Sequence, residues 1–222
     1  VIKSTDTSPF FLPKIRVLLI NKPHNEVLAM KEVEILVQVK DSKEAALERL
    51  KSFQFEGTKE TVDAYFFNKE TNRFKPDKNG RLLECLRLRT KSGKSYLAYK
   101  YDHFDDNGTW TYSDEYEVEV SDNKTAEELI KHLGFEELVV IDNVKYTYKT
   151  DYYEIVLEDV KDLGIFLEVE RNSVGDDEDV LEVKKEIWKF IESLDIEVTE
   201  ELNAGKPELM LRSQTNEKQN AV

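Results

Sequence analysis

Polar and apolar residues alternate with period two in short blocks along most of this chain. Glu32-Val33-Glu34-Ile35, Glu115-Tyr116-Glu117-Val118-Glu119-Val120 and Leu167-Glu168-Val169-Glu170 place carboxylates at every second position with apolar or aromatic residues between them. Leu86-Arg87-Leu88-Arg89 and Tyr96-Leu97-Ala98-Tyr99-Lys100 keep the same rhythm with cations in the charged row. Strand side chains alternate faces, so each block predicts a strand with one charged and one apolar face. Taken singly, such a strand is what a half-buried antiparallel sheet with one wet face requires. Acidic and basic rows brought together on one concave face would do more, because they suit a divalent metal holding a polyphosphate.

The same pattern predicts strands over 32–40, 62–67, 81–90, 94–103, 109–120, 137–149, 152–159 and 165–171. Turn chemistry joins several of them, at Ser92-Gly93, Asp106-Asn107-Gly108 and Thr150-Asp151, and residues 69–80 read as a loop. Asp41 with Glu44 three residues later resembles a capping box for a helix to about Phe53, with Ala46, Leu47 and Leu50 inward. Thr125 and Glu128 cap a second helix that Gly134 stops. Asp176 to Asp179 put negative charge at the start of a third helix, which runs to Leu194. About eight antiparallel strands with helices in the connections predict an α+β fold: a closed or nearly closed β-barrel with the helices packed outside. The apolar rows must meet those helices, so the charged rows must line the lumen. A charged lumen is stable only if its groups pair or bind something.

Length and charge narrow the reading. The 222 residues suit one domain with tails. Residues 1–29 read as an N-terminal extension, either a genuine appendage or, as the favoured readings, the result of an unusual start codon or a stretch translated from upstream of the true start; residues 213–222 read as a disordered polar tail. Nothing approaches eighteen consecutive apolar residues, so no membrane helix is expected. Ile15 to Ile20 contains Arg16 and is too short for a signal-peptide core. The single cysteine, Cys85, excludes an intrachain disulfide and points to a reducing, cytoplasmic setting. A net charge of −14 argues against nucleic acid as the principal partner. It would also repel a polyanionic small molecule unless local cations and a divalent ion reversed the sign inside the site. No Gly-rich phosphate loop, zinc cysteine cluster or Ser/His/Asp pattern occurs, and His24, His103 and His132 lack ligand spacing. Metal, arginine and lysine are left to do the chemistry. A homodimer is left open.

The order of these blocks carries a resemblance. Glu32-x-Glu34, Asp63-Ala64-Tyr65-Phe66, Leu86-Arg87-Leu88-Arg89, Tyr96 to Lys100, Glu115-Tyr116-Glu117, Lys145 and the run from Ile155 through Leu163-Gly164 to Glu168-Val169-Glu170 follow one another over residues 30–212. This succession resembles the CYTH family, also called triphosphate tunnel metalloenzymes, which includes class IV adenylyl cyclases, thiamine triphosphatases and inorganic triphosphatases. The resemblance implies Glu32, Glu34, Glu168 and Glu170 as ligands of Mg²⁺ or Mn²⁺, with Glu158 where the family usually has aspartate. It implies Arg87, Arg89, Lys100 and Lys145 as phosphate contacts, and Glu115 and Glu117 as an acidic pair that orients the cations or a second metal. Glu34, Lys100 and Glu170 would carry the catalysis.

Two positions depart from the pattern. Leu36 stands where the family's Glu-x-Glu-x-Lys has its lysine, and Thr147 stands where an arginine usually follows the late lysine. Lys40 shares the face of Glu34 but lies roughly 13 Å beyond Leu36 along a strand, too far to substitute. The expected function is therefore a metal-dependent enzyme acting on a nucleoside, other organic or inorganic triphosphate, foremost a triphosphatase. The alternatives are a class IV adenylyl cyclase making cyclic AMP and pyrophosphate from ATP, and a non-catalytic nucleotide- or polyphosphate-binding module.

Overall fold

The computed structural model describes residues 30–71, 73–175 and 177–220. The N-terminal extension read from the sequence, residues 1–29, lies outside them, as does Asp176. Nine strands run in chain order: β1 (Met30–Glu32), β2 (Glu34–Gln38), β3 (Gln54–Asn68), β4 (Glu84–Lys91), β5 (Lys94–Phe104), β6 (Trp110–Val120), β7 (Phe135–Lys149), β8 (Tyr153–Val160) and β9 (Gly164–Arg171). All their pairings are antiparallel, in the order β1-β6-β5-β4-β3-β7-β8-β9-β2. The two ends of that order are consecutive in the chain. Ladder pairing breaks only at Val33, with β1 bonded to β6 and β2 to β9. One split strand thus closes eight strands into a barrel.

Face parity follows the sequence pattern. Val33, Ile35, Val37, Ile155, Leu157, Leu167 and Val169 point outward and are buried against Ala46 and Leu50 of helix α1 (Lys43–Leu50) and Val183, Ile187 and Ile191 of α3 (Val180–Ser193). Ala126 and Ile130 of α2 (Asn123–His132) cover Phe66 and Leu88 in the same way. Seven side chains of this kind, each contributing about 1.5–3 kcal/mol on full burial, fasten the helices to the outside and leave the charged rows to the lumen.

Local chemistry differs from expectation at the helix starts. Ser42 caps α1, its hydroxyl accepting from the Ala45 amide, so the Asp41–Glu44 capping box does not form. Asp122 rather than Thr125 caps α2, accepting from the Thr125 amide at 2.7 Å. Gly134 stops α2 with φ of 85°, a conformation a Cβ would penalise. The predicted disordered tail is also corrected in part: helix α4 (Lys206–Asn220) continues through residues 213–220. Among the described residues no helix is long and apolar enough to cross a membrane.

Candidate active site

The lumen holds a cavity of about 590 Å³ with two chemically opposed walls. On one, strands β8, β9 and β2 place Glu154, Glu170 and Glu34 directly opposite one another in register. Three carboxylates in one row repel, and like charges facing across strands are destabilising. Burial, reinforced by Glu34, Glu32 and Glu168, pushes the Glu170 carboxyl up to about 9. Burial also pushes Glu32 up to about 7 against the pull of Lys100, and raises Glu34. Glu170 therefore keeps its proton at neutral pH in the metal-free protein.

The other wall is basic and comes from β3, β4, β5 and β7. Arg89 grips Asp63 through two bonds of 2.7 Å, and Asp63 is almost fully buried. Burial alone would raise the Asp63 carboxyl, but Arg89 holds it below its ordinary range. Arg87 donates to Glu115 at 2.6 Å and to Glu117 at 3.4 Å, while its buried Nε has no partner. Lys100 bridges the walls, 3.0 Å from Glu32, 3.4 Å from Glu34 and 3.9 Å from Glu115. Those carboxylates outweigh the effect of burial and keep its ammonium charged. Asp102, hydrogen-bonded by Ser113 at 2.6 Å, is pushed up to about 6 by burial.

One end of the lumen is filled. Leu36 is packed with Tyr65, Ile141, Phe166 and, from α4, Met210 in a buried cluster. The segment before α4 reaches that end by bonding along β2, with the Thr199 amide donating to the Gln38 carbonyl and the Leu202 amide to Leu36. Glu208 then anchors the first turn, accepting from the Leu82 amide at 2.6 Å and the Gly205 amide at 2.8 Å. This presents Lys206 to the lumen, where it binds Glu158 at 2.7 Å and also Glu168. Burial would raise Glu168, but Lys206 and then Lys145 hold it far below the usual carboxylate range. Since Glu168 is the register partner of Leu36, a cation stands on this ladder after all, delivered by a helix.

A CYTH-domain family model matches residues 30–203, nearly the whole described barrel. The chain belongs to the CYTH family. It is 31% identical over 169 residues to a Methanocaldococcus jannaschii protein named "Putative adenylate cyclase MJ0240", covering 75% of this chain and 91% of that one. Among solved structures it resembles the PH1819 protein of Pyrococcus horikoshii OT3, with 26% identity, a TM-score of 0.67 and coverage of 82% and 98% of the two chains. It likewise resembles the PH1012 protein of the same organism, with 27% identity, a TM-score of 0.62 and coverage of 80% and 98%.

CYTH proteins are in general metal-dependent and often enzymes. In this CYTH chain, the cavity lining brings together Glu32, Glu34, Glu168 and Glu170 with Arg87, Arg89, Lys100 and Lys145, and with Glu115 and Glu117. It does not include Glu158, which is fully buried behind the wall between Asn143, Lys145 and Lys206. Among the described residues no three potential ligands converge into a ready metal cage, since Glu32 and Glu34 face Lys100 and Glu168 faces Lys206. The donor set nevertheless fits a hard divalent ion: every candidate is a carboxylate, and their crowding is relieved by positive charge. Two contributors escaped the sequence reading. Glu154 shares the face of Glu158 by parity and could have been found that way. Lys206 belongs to no strand pattern, and only Gly205 and Pro207 beside it mark a helix start.

Proposed function

We propose that this CYTH protein is a metal-dependent enzyme that cleaves the phosphate chain of a triphosphate, with hydrolysis of the terminal phosphate as its reaction. The observation that carries this reading is the facing of the Glu34–Glu170 row and the Arg87–Arg89 pair within one cavity. Arg87 and Arg89 match phosphate oxygens with planar forks, and Lys145 and Lys206 add point charges. Glu32, Glu34, Glu168 and Glu170 would hold Mg²⁺ or Mn²⁺, which supplies polarisation of the phosphate oxygens. With a cation held there Glu34 and Glu170 are ionised, so that as water adds to the terminal phosphorus its proton passes to one of these carboxylates and the bridging P–O bond breaks. Lys100 balances the charge left on the departing oxygen. The loss of family cations at Leu36 and Thr147 would favour a merely binding module; Lys206 weakens that argument.

A second reading, cyclisation of ATP to cyclic AMP and pyrophosphate, is favoured by the name of the 31%-identical relative. Both reactions use the same grip and differ in which nucleophile is aligned. Product analysis with Mg²⁺ or Mn²⁺ across tripolyphosphate, thiamine triphosphate and ATP separates them. Phosphate supports hydrolysis, whereas cyclic AMP with pyrophosphate supports cyclisation. No product above a Glu34→Gln/Glu170→Gln control overturns both.

A further inference from the structure

Nearly every cation of the lumen is matched by a carboxylate: Arg87, Arg89, Lys100, Lys145 and Lys206 each have one within 3.1 Å. Lys59 and Lys91 are exceptions. Both line the cavity at its open end, where β3 begins and β4 ends, and neither forms a hydrogen bond or a close ion pair among the described residues. Their placement is electrostatically unfavourable within the protein itself. Lys59 sits directly opposite Lys145 in the β3–β7 ladder, and Lys91 pairs with Thr61, two residues further along the same face. Like charges in such positions repel. Lys91 accordingly has its ammonium pushed down by burial and then by Lys59, Arg89 and Lys145, which together outweigh the attraction of Glu117. Lys59 and Lys91 thus carry positive charge with no carboxylate in close contact among the described residues, although the chain has 46 acidic residues to 32 basic ones, and they continue the basic wall outward from Arg89.

We propose that Lys59 and Lys91 form a further anion subsite at the mouth of the tunnel, which takes the outward end of a linear phosphate chain while Arg87, Arg89 and Lys145 hold its inner part. The inference rests on the triphosphate reading and adds to it: the site counts phosphates by length. Filling the subsite removes the repulsion with Lys145, so occupancy and wall stability are coupled. Pyrophosphate, gripped by the inner cations, does not reach it.

The test is calorimetry of the full chain with Mn²⁺ and pyrophosphate, tripolyphosphate or ATP, comparing the wild type with Lys59→Gln/Lys91→Gln. The double variant is expected to bind tripolyphosphate at least about tenfold more weakly, as loss of charge-assisted bonds at half-buried lysines implies, and pyrophosphate within about twofold. An equal loss with ATP assigns the subsite to any triphosphate, and a loss confined to tripolyphosphate assigns it to the inorganic chain. Its melting temperature without ligand should stay level or rise, since repelling charges are removed. Equal weakening for both chain lengths, or none, overturns the subsite and leaves the triphosphate reading standing. A wild type that binds neither triphosphate overturns both. A lowered melting temperature with uniform weakening would instead show the lysines to be wall supports, against the proposal.

Discussion

Lys206→Met isolates the contribution of the helix-borne cation. Lys206 neutralises two carboxylates, Glu158, which is fully buried, and Glu168. Removing one partner of a buried ion pair costs about 3–5 kcal/mol, because the remaining charge is left unmatched. Glu158 keeps Lys145 at 3.1 Å and Asn143 at 2.7 Å, which places the expected loss at the lower end, about 3 kcal/mol. For a domain of this size that corresponds to a fall of roughly 6–12 °C in melting temperature. The pH dependence has a definite sign. Glu168 is depressed in the folded protein, so its stabilisation is present above its ordinary value of 4.5 and lost as pH falls through the lower folded value. Without Lys206 that contribution disappears, so the gap between variant and wild type should be widest at neutral pH and narrow in acid. Mn²⁺ should raise the melting temperature of Lys206→Met more than that of the wild type, because no ammonium competes for Glu168. Thermal melts of metal-free protein at pH 7 and at a series of lower pH values down to about pH 2, with and without Mn²⁺, read all three effects. A variant that melts within about 2 °C of the wild type at pH 7 and responds equally to Mn²⁺ would refute the reasoning.

Three other expectations use the same walls. Glu170, raised to about 9, stabilises the metal-free fold below pH 4.5 and loses that contribution as pH rises through 9. Stability of the wild type to urea should therefore fall between pH 5 and 9, and Glu170→Gln should flatten the slope; an unchanged slope counts against the crowded row. Asp63→Asn leaves Arg89 without its fork and should cost about 3 kcal/mol in chemical denaturation, a loss below about 1 kcal/mol being the refuting result. Leu36→Lys puts an ammonium among Ile141, Phe166 and Met210. It should lower the melting temperature without tightening triphosphate binding, and a stable variant with tighter binding would show that Lys206 does not fill the vacant role.

Period-two alternation made the barrel legible because each strand buries one face under helices and turns the other inward; Ile35, Leu157 and Val169 betray the outer face by their apolarity alone. The same parity placed Glu34, Glu170, Arg87 and Arg89 on one inner surface. It could not show which residues of neighbouring strands stand opposite one another, so the Asp63–Arg89 fork and the Glu154–Glu170–Glu34 row became visible only from the register. Lys206 was illegible for a different reason. Its position depends on where a whole helix docks, which Thr199, Leu202 and Glu208 decide through backbone bonds that leave no periodic trace. The helix caps were missed on a finer scale: Ser42 and Asp122 each lie within three residues of the residue expected to cap. A polar composition hid the continuation of α4 past residue 212, where propensity alone gives little signal.

The split at Val33 has a consequence for how the chain reaches its native state. Met30 meets Glu115, and Glu34 meets Glu170, so both halves of the seam wait for partners far along the chain. Such distant pairings incur their loop-closure entropy before any contact compensates it, and they form late. Glu32 and Glu34 sit on either side of that seam, so the acidic wall, whose Glu154 and Glu170 already meet in the β8–β9 hairpin, is completed only by the final zippering step. Amide hydrogen exchange should then find β1 and β2 opening at lower free energy than the β3–β7 ladder. A ligand that bridges Glu34 and Glu170 would act as a clasp on the last-formed joint, slowing unfolding more than it speeds folding.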